Sequence, residues 1–129
     1  MELEKLRVYQ QSVKLSDEIW HMVNKWDFFN KDIIGKELIQ STDAIAANIA
    51  EGFGRYYYTE VRQYGYYARG ALYKTKTWLT RVHQRNIIDN AKYEAFLKEL
   101  KSIEARLNKY VNAVVKAQEV KQMPERKVA

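Results

Sequence analysis

Residues 91–118 read AKYEAFLKELKSIEARLNKYVNAVVKAQ. Apolar or small side chains recur in this stretch at alternating spacings of four and three residues: Phe96, Leu100, Ile103, Leu107, Tyr110, Val114 and Ala117. This spacing places them on one face of a helix and is typical of helices that pack in bundles or coiled coils. The pattern predicts a helix over residues 91–122, followed by a disordered tail at 124–129 because Pro124 cannot continue it.

Three further amphipathic helices are predicted before this one. The first spans about residues 4–26 and has one apolar face: Val8, Leu15, Ile19, Met22 and Trp26. The second spans about residues 36–51 and has a similar face among small alanines: Leu38, Thr42, Ile45 and Ile49. The third spans about residues 59–85, and the same periodicity predicts its inward side chains: Val61, Tyr64, Ala68, Ala71 or Leu72, Thr75, Trp78 or Leu79, and Val82.

The predicted connections between these helices are short. Residues 27–35, which end in Gly35, are expected to form the first turn. Gly52 is expected to end the second helix in the left-handed conformation that glycine favours. Thr59 is the expected N-cap of the third helix, and Asp89 or Asn90 that of the fourth.

The composition fits long helices in a cytoplasmic protein. The 129 residues include one proline and five glycines, so helix breakers are rare. They include no cysteine, which excludes disulfides and zinc–thiolate sites. The charged start MELEKLRVYQ does not resemble a signal peptide, and no apolar run is long enough to span a membrane. We therefore expect an all-α protein, an antiparallel up-down-up-down four-helix bundle with a single domain over residues 1–123.

Catalytic and cofactor motifs are not found in the sequence. The two histidines, His21 and His83, lie on different predicted helices, and neither has a metal-ligand partner at the spacing of an HExxH motif. A di-iron bundle would need Glu-x-x-His pairs that project inward, and none is predicted here; neither a phosphate-binding loop nor a GxSxG elbow occurs. We expect a non-enzymatic protein with no catalytic residues, no metal, no cofactor and no small-molecule substrate.

Positive charge is concentrated in the middle of the chain. The sequence has a formal net charge of +6, and residues 55–85 contain seven basic residues against one acidic residue, Glu60. Residues 1–54 instead contain six basic and nine acidic residues. This asymmetry favours a polyanionic partner.

The third helix carries an alternating series of cations and phenol rings. Its members recur at spacings of four and three: Arg62, Tyr66, Arg69, Tyr73 and Lys76. At 100° per residue the series lies roughly 140° from the predicted core face. Cations neutralise phosphates and aromatic rings stack on bases, so the series predicts nucleic-acid binding, with additional phosphate contacts from Arg55, Arg81 and Arg85.

Other interpretations of this face stay open. Arginine and tyrosine are also enriched in protein interfaces, so the face could pack against a second copy of the chain, or be a solvated surface. An adaptor or scaffold with an acidic protein partner is the alternative function. Large aromatic side chains are available for subunit contacts: Trp20, Tyr57 and Trp78.

A second motif lies where the second helix ends. Asn48 and Glu51 are one helical turn apart, and a carboxylate at a helix C-terminus is unfavourable without a partner. Arg55 is a candidate for that partner, as is a residue of the third helix. We expect Asn48, Glu51, Gly52 and Arg55 to form a structural motif that fixes the turn to the third helix.

The run Ile45-Ala46-Ala47-Asn48-Ile49-Ala50-Glu51-Gly52-Phe53-Gly54-Arg55, followed by Tyr67-Ala68-Arg69-Gly70-Ala71-Leu72-Tyr73, resembles a known family. It is similar to the four-helix-bundle proteins encoded in intervening sequences of bacterial 23S ribosomal RNA genes. That family is related to the accessory variability protein of diversity-generating retroelements.

The resemblance implies an up-down-up-down bundle, a ring-like homopentamer and a basic surface that binds RNA or DNA. Family members often carry arginines in the middle of the second helix, where this chain has Ile39 and Gln40. The third helix is therefore expected to supply most of the basic surface.

Overall fold

The computed structural model describes residues 1–121 and contains four long helices. They are α1 (Arg7–Val23), α2 (Lys36–Phe53), α3 (Tyr58–Gln84) and α4 (Asn90–Lys121). A single 3-10 turn, Leu3–Lys5, precedes α1. The all-α prediction is confirmed at this level. The predicted end of the fourth helix near Gln122 and the predicted tail at 124–129 lie outside the described residues.

The predicted turn at residues 27–35 is wrong. Asp27 accepts a hydrogen bond from the backbone N–H of Asn30 (3.2 Å) and starts a short helix, Phe28–Asn30. A π-helix, Lys31–Gly35, then leads without a break into α2. Gly35 does not interrupt this helical segment. A Cβ at this position would lie 2.6 Å from Val23 Cγ1, so glycine allows the two segments to approach closely.

Two predicted helix ends also need correction. Gly52 lies inside α2, whose C-cap is Gly54, and no described glycine has a positive φ. The absence of a side chain at Gly52 instead lets α3 approach α2 closely, because a Cβ there would lie 2.7 Å from Tyr64 Cβ. The N-cap of α3 is Tyr57 rather than Thr59. The prediction for α4 holds, since Asp89 Oδ1 accepts a hydrogen bond from the backbone N–H of Lys92 (2.8 Å).

The core runs between the four helices along their apolar faces. Its fully buried side chains come from every long helix: Leu15 and Ile19 of α1, Leu38, Ile45 and Ile49 of α2, Leu72 and Leu79 of α3, and Leu100, Ile103 and Leu107 of α4. Buried hydroxyls are satisfied inside it. Thr75 Oγ1 donates to the backbone oxygen of Ala71 (2.9 Å) and lies 3.0 Å from Ser41 Oγ, which links α3 to α2.

The inward face of α4 changes register after Leu107. Val111 and Gln118 are buried, whereas Tyr110, Val114 and Ala117, which the sequence placed inward, are only half-buried. Val111 packs into the space left by Gly65 on α3. The contact helps to position α3 and α4, whose adjoining surfaces carry the candidate site. No described helix is both long and apolar enough to cross a membrane.

Candidate nucleic-acid interface

Helix α3 presents a row of exposed aromatic and basic side chains. Tyr66 and Tyr73 are 45% and 44% exposed, and Arg69 and Lys76 are exposed beside them. The inward residues of the same helix are small or aliphatic, so the core fixes which side faces outward. We call Arg62, Tyr66, Arg69, Tyr73 and Lys76 the α3 stripe.

The basic residues of α3 lack acidic partners in the described part of the chain. Within residues 1–121, none of Arg62, Arg69, Lys76, Arg81 and Arg85 forms an ion pair with a carboxylate. The described ion pairs instead involve Lys5, Lys14, Lys36 and Arg55. The charges of the stripe are therefore available to an external anion.

The stripe lies beside α4, which corrects the predicted angle of roughly 140° from the core. Arg62 Nη1 donates to Gln118 Oε1 of α4 (3.3 Å), and the Arg62 side chain is half-buried. The Tyr73 hydroxyl donates to Glu104 Oε2, also on α4. The stripe thus flanks the groove between α3 and α4 rather than lying opposite the core.

Glu104 fixes the orientation of the Tyr73 ring. The hydrogen bond to Glu104 and the charge of that carboxylate raise the pKa of Tyr73, and the nearby Arg69 partly opposes them. Tyr73 therefore stays neutral and keeps its hydroxyl directed at α4 at physiological pH. The residue nevertheless remains 44% exposed to solvent.

Arg81 and Arg85 lie near the C-terminal end of α3. Arg81 Nη1 donates to Gln84 Oε1 (2.9 Å), and both arginines are exposed. Arg81 lines a shallow cleft of about 480 Å³ on the outer surface of α3 with Tyr73, Lys76, Thr77, Thr80 and Gln84. Arg85 does not line this cleft.

His83 continues the seven-residue spacing of the cations but points to a different partner. Its ring stacks on Tyr93 of α4 with centroids 4.1 Å apart, and its Nε2 contacts Asn90 Oδ1. These contacts hold the start of α4 against the end of α3.

Arg55 is engaged in the turn between α2 and α3. Its Nη2 lies 3.2 Å from Glu51 Oε2 and donates to the Tyr64 hydroxyl (2.8 Å), and its guanidinium lies over the Tyr64 ring. Glu60 is 4.0 Å from Nη1. Desolvation opposes the charge, but Tyr64, Glu51 and Glu60 outweigh it and raise the pKa of Arg55. The structure thus joins Arg55 to Glu51 and not to the α3 stripe.

The other residues of the predicted turn motif act separately. The Asn48 Nδ2 donates to the backbone oxygen of Ala44 (2.8 Å), one turn earlier in α2, and contacts neither Glu51 nor Arg55 in the described hydrogen bonds. Gly52 contributes by its lack of a side chain, which lets Tyr64 approach.

Large apolar side chains are exposed at the end of α1 and in the helical segment that follows it, and of these only Trp20 was predicted for subunit contacts. Phe28 and Phe29 are 82% and 67% exposed, and Ile33 and Trp20 are also exposed. The signal was present as two adjacent phenylalanines, but the segment was interpreted as a turn. Trp78, one of the three aromatics predicted for interfaces, is half-buried and packs on the core.

The described residues contain no cluster of three or more His, Cys, Asp or Glu side chains that could hold a metal ion.

The fold and the site together define a four-helix protein with a basic, tyrosine-rich face on its third helix. The model of the 23S rRNA-intervening sequence protein family matches residues 4–109. The chain belongs to this family.

A solved structure has the same fold. It is the crystal structure of a protein of unknown function from the S23 ribosomal protein family of Bacteroides thetaiotaomicron. The TM-score is 0.73 at 18% sequence identity, and the match covers 81% of this chain and 97% of that chain. No functionally curated protein matches the chain.

Proposed function

We propose that this protein is a non-enzymatic RNA-binding protein that acts as a homo-oligomer. One observation carries the proposal: α3 exposes several cations that have no carboxylate partner within residues 1–121, interleaved with the exposed rings of Tyr66 and Tyr73. The cations neutralise phosphates, and the rings offer flat surfaces to bases.

The scaffold is an antiparallel up-down-up-down bundle. Two contacts at opposite ends of α2 and α3 support this topology: Ser41 with Thr75, and Gly52 with Tyr64.

The exposed apolar surface supports oligomerisation. Trp20, Phe28, Phe29 and Ile33 expose large side chains at the end of α1 and the start of the next helical segment. Large apolar side chains that are exposed to water are typical of contact surfaces between proteins. A homopentamer is the state that the family resemblance implies, and in it the basic face of α3 would be repeated around the ring.

The binding experiment is the dependence of RNA affinity on salt. Binding of a fluorescent structured RNA is followed by anisotropy between about 50 and 200 mM salt, for the parent and for the triple variant Arg62→Ala/Arg69→Ala/Lys76→Ala. We expect the triple variant to bind more weakly and its log–log salt slope to fall by about 3. The matched control removes three exposed cations elsewhere, Lys25→Ala/Lys98→Ala/Lys116→Ala, and should keep most of the slope.

Two results would overturn the proposal. One is RNA binding that does not depend on salt, and the other is a triple variant that binds as tightly as the parent. A partner recovered from cells that survives nuclease treatment would instead identify an acidic protein as the target of the same face.

A further inference from the structure

A small notch lies beside the stripe, between α3 and α4. It has a volume of about 280 Å³ and is lined by Leu72, Lys76, Leu97, Leu100, Lys101 and Glu104. Its leucines form an apolar floor, since Leu72 and Leu100 are buried and Leu97 is half-buried. Pockets for drug-sized ligands are usually about 300–1,000 Å³, so this one suits a single heterocycle.

The polar group in the notch is a carboxylate with one oxygen free. Glu104 Oε2 accepts the Tyr73 hydroxyl, and Oε1 has no hydrogen-bond or ion-pair partner within residues 1–121. Glu104 is half-buried and is held in place by Tyr73. A fixed carboxylate above an apolar floor can accept a hydrogen bond from an exocyclic amino group.

The rim of the notch is basic. The ammonium groups of Lys76 and Lys101 are exposed, and neither pairs with a carboxylate in the described part of the chain. Phosphates on either side of a bound base would meet these two cations. The Glu104 carboxylate would therefore meet the amino group of the base, and the two ammonium groups would meet the anionic phosphates. The charges of the notch thus complement those of a nucleotide.

We propose that this notch binds one unpaired, amino-bearing nucleobase, and so selects single-stranded nucleic acid that contains cytosine or a purine with an amino group. The proposal rests on the proposed RNA binding and adds the substrate class. A base within a duplex is covered on both faces and paired at its edge, so it cannot enter. Uracil offers one N–H between two carbonyl oxygens, and these repel a carboxylate.

The test compares two short single strands that differ only in the base. Fluorescent C12 and U12 RNA oligonucleotides are bound to the oligomer as it exists in solution, at pH 7.5. We expect the parent to bind C12 about five- to tenfold more tightly than U12, which is the effect of one well-placed base contact. In Glu104→Ala this ratio should fall to about one, even though removing a negative charge strengthens the binding of both strands.

Two variants isolate the effect of the notch. Glu94→Ala removes the same charge from an exposed position on α4 and should leave the ratio unchanged. Tyr73→Phe keeps the ring but frees Glu104, and should lower the ratio without unfolding the protein, as checked by thermal melting.

The outcomes separate this inference from the proposed function. A parent ratio near one with salt-dependent binding of both strands, or equal effects of Glu94→Ala and Glu104→Ala, would overturn the notch proposal and leave RNA binding intact. Failure of C12, U12 and a structured RNA to bind at low salt would overturn both.

Discussion

Gly65 of α3 lies directly against Val111 of α4, where a Cβ on the glycine would come within 2.5 Å of Val111 Cγ2. Real Cβ atoms do not tolerate such a distance, and the neighbour is a short, branched side chain rather than the end of a flexible one. This contact between α3 and α4 therefore depends on the absence of a side chain at position 65.

We expect Gly65→Ala to lower the free energy of unfolding by about 1–3 kcal/mol, because the added methyl group must push Val111 and α4 outward. Urea unfolding followed by circular dichroism measures it. Gly70→Ala is the matched control on the same helix. A Cβ there meets no atom within 4 Å, so alanine should stabilise the helix by about 0.5–1 kcal/mol. Equal destabilisation by both variants would contradict the packing argument.

The sequence predicted α4 correctly up to Leu107 and failed beyond it for a geometric reason. Spacings that alternate four and three imply 3.5 residues per turn, whereas a straight helix has 3.6 and drifts away from that series. The inward positions Phe96, Leu107 and Gln118 are instead eleven residues apart. The apolar residues at 110, 111, 114 and 115 allowed either register, and in the structure Val111 is the one that packs against Gly65.

The candidate site was predictable in part. The periodicity of α3 correctly predicted that four of its residues lie outside the core: Tyr66, Arg69, Tyr73 and Lys76. Which side of a single helix faces outward can be read from the spacing of its own apolar residues. The partnership of Tyr73 with Glu104 could not be predicted, because the two residues are 31 positions apart in sequence and lie on different helices whose relative position the pattern does not give.

A carboxyl group between α1 and α4 should make stability depend on pH. Burial and the neighbouring carboxyl of Glu18 raise the pKa of Glu99 to about 7, although Lys14 opposes the shift. An unfolded glutamate has a pKa of about 4.3, so between these values the native state binds a proton that the unfolded chain releases. This contribution to stability is complete below about pH 4.3 and is lost as the pH rises to about 7.

We therefore expect Glu99→Gln to raise the melting temperature at pH 8 and to have little effect at pH 4.5. The informative quantity is the difference in melting temperature between parent and variant across this range, measured by differential scanning calorimetry. The other carboxyl groups change protonation with pH in both proteins, so their effect cancels in the difference. Glu94→Gln, at an exposed position of the same helix, should give no such pH-dependent difference. A constant difference between parent and Glu99→Gln from pH 4.5 to 8 would exclude the raised pKa.

The Arg55 cluster should stabilise the turn between α2 and α3 more than an ordinary surface ion pair does. Arg55 contacts Glu51, donates to the Tyr64 hydroxyl and lies over the Tyr64 ring. Among residues 1–121, Lys36 at the opposite end of α2 pairs with Asp32 alone. Arg55→Ala should lower the melting temperature more than Lys36→Ala does. A double-mutant cycle of Arg55→Ala with Tyr64→Phe should show coupling, and additive effects would show that the hydroxyl contributes nothing.

Asn86 ends α3 in a backbone conformation that few residues tolerate. Its φ is +61°, its N–H donates to the backbone oxygen of His83 (3.0 Å), and the N–H of Ile87 donates to that of Val82 (2.9 Å). These two bonds satisfy carbonyl groups at the end of the helix and require a left-handed residue between them.

Asn86→Ala should lower the free energy of unfolding by about 1 kcal/mol, because a Cβ without a compensating polar group is strained there. Asn86→Gly removes that strain and should stay within about 0.5 kcal/mol of the parent in urea unfolding, since glycine also makes the unfolded chain more flexible. If alanine proved as stable as glycine at this position, the left-handed conformation would not govern the turn that places His83 on Tyr93.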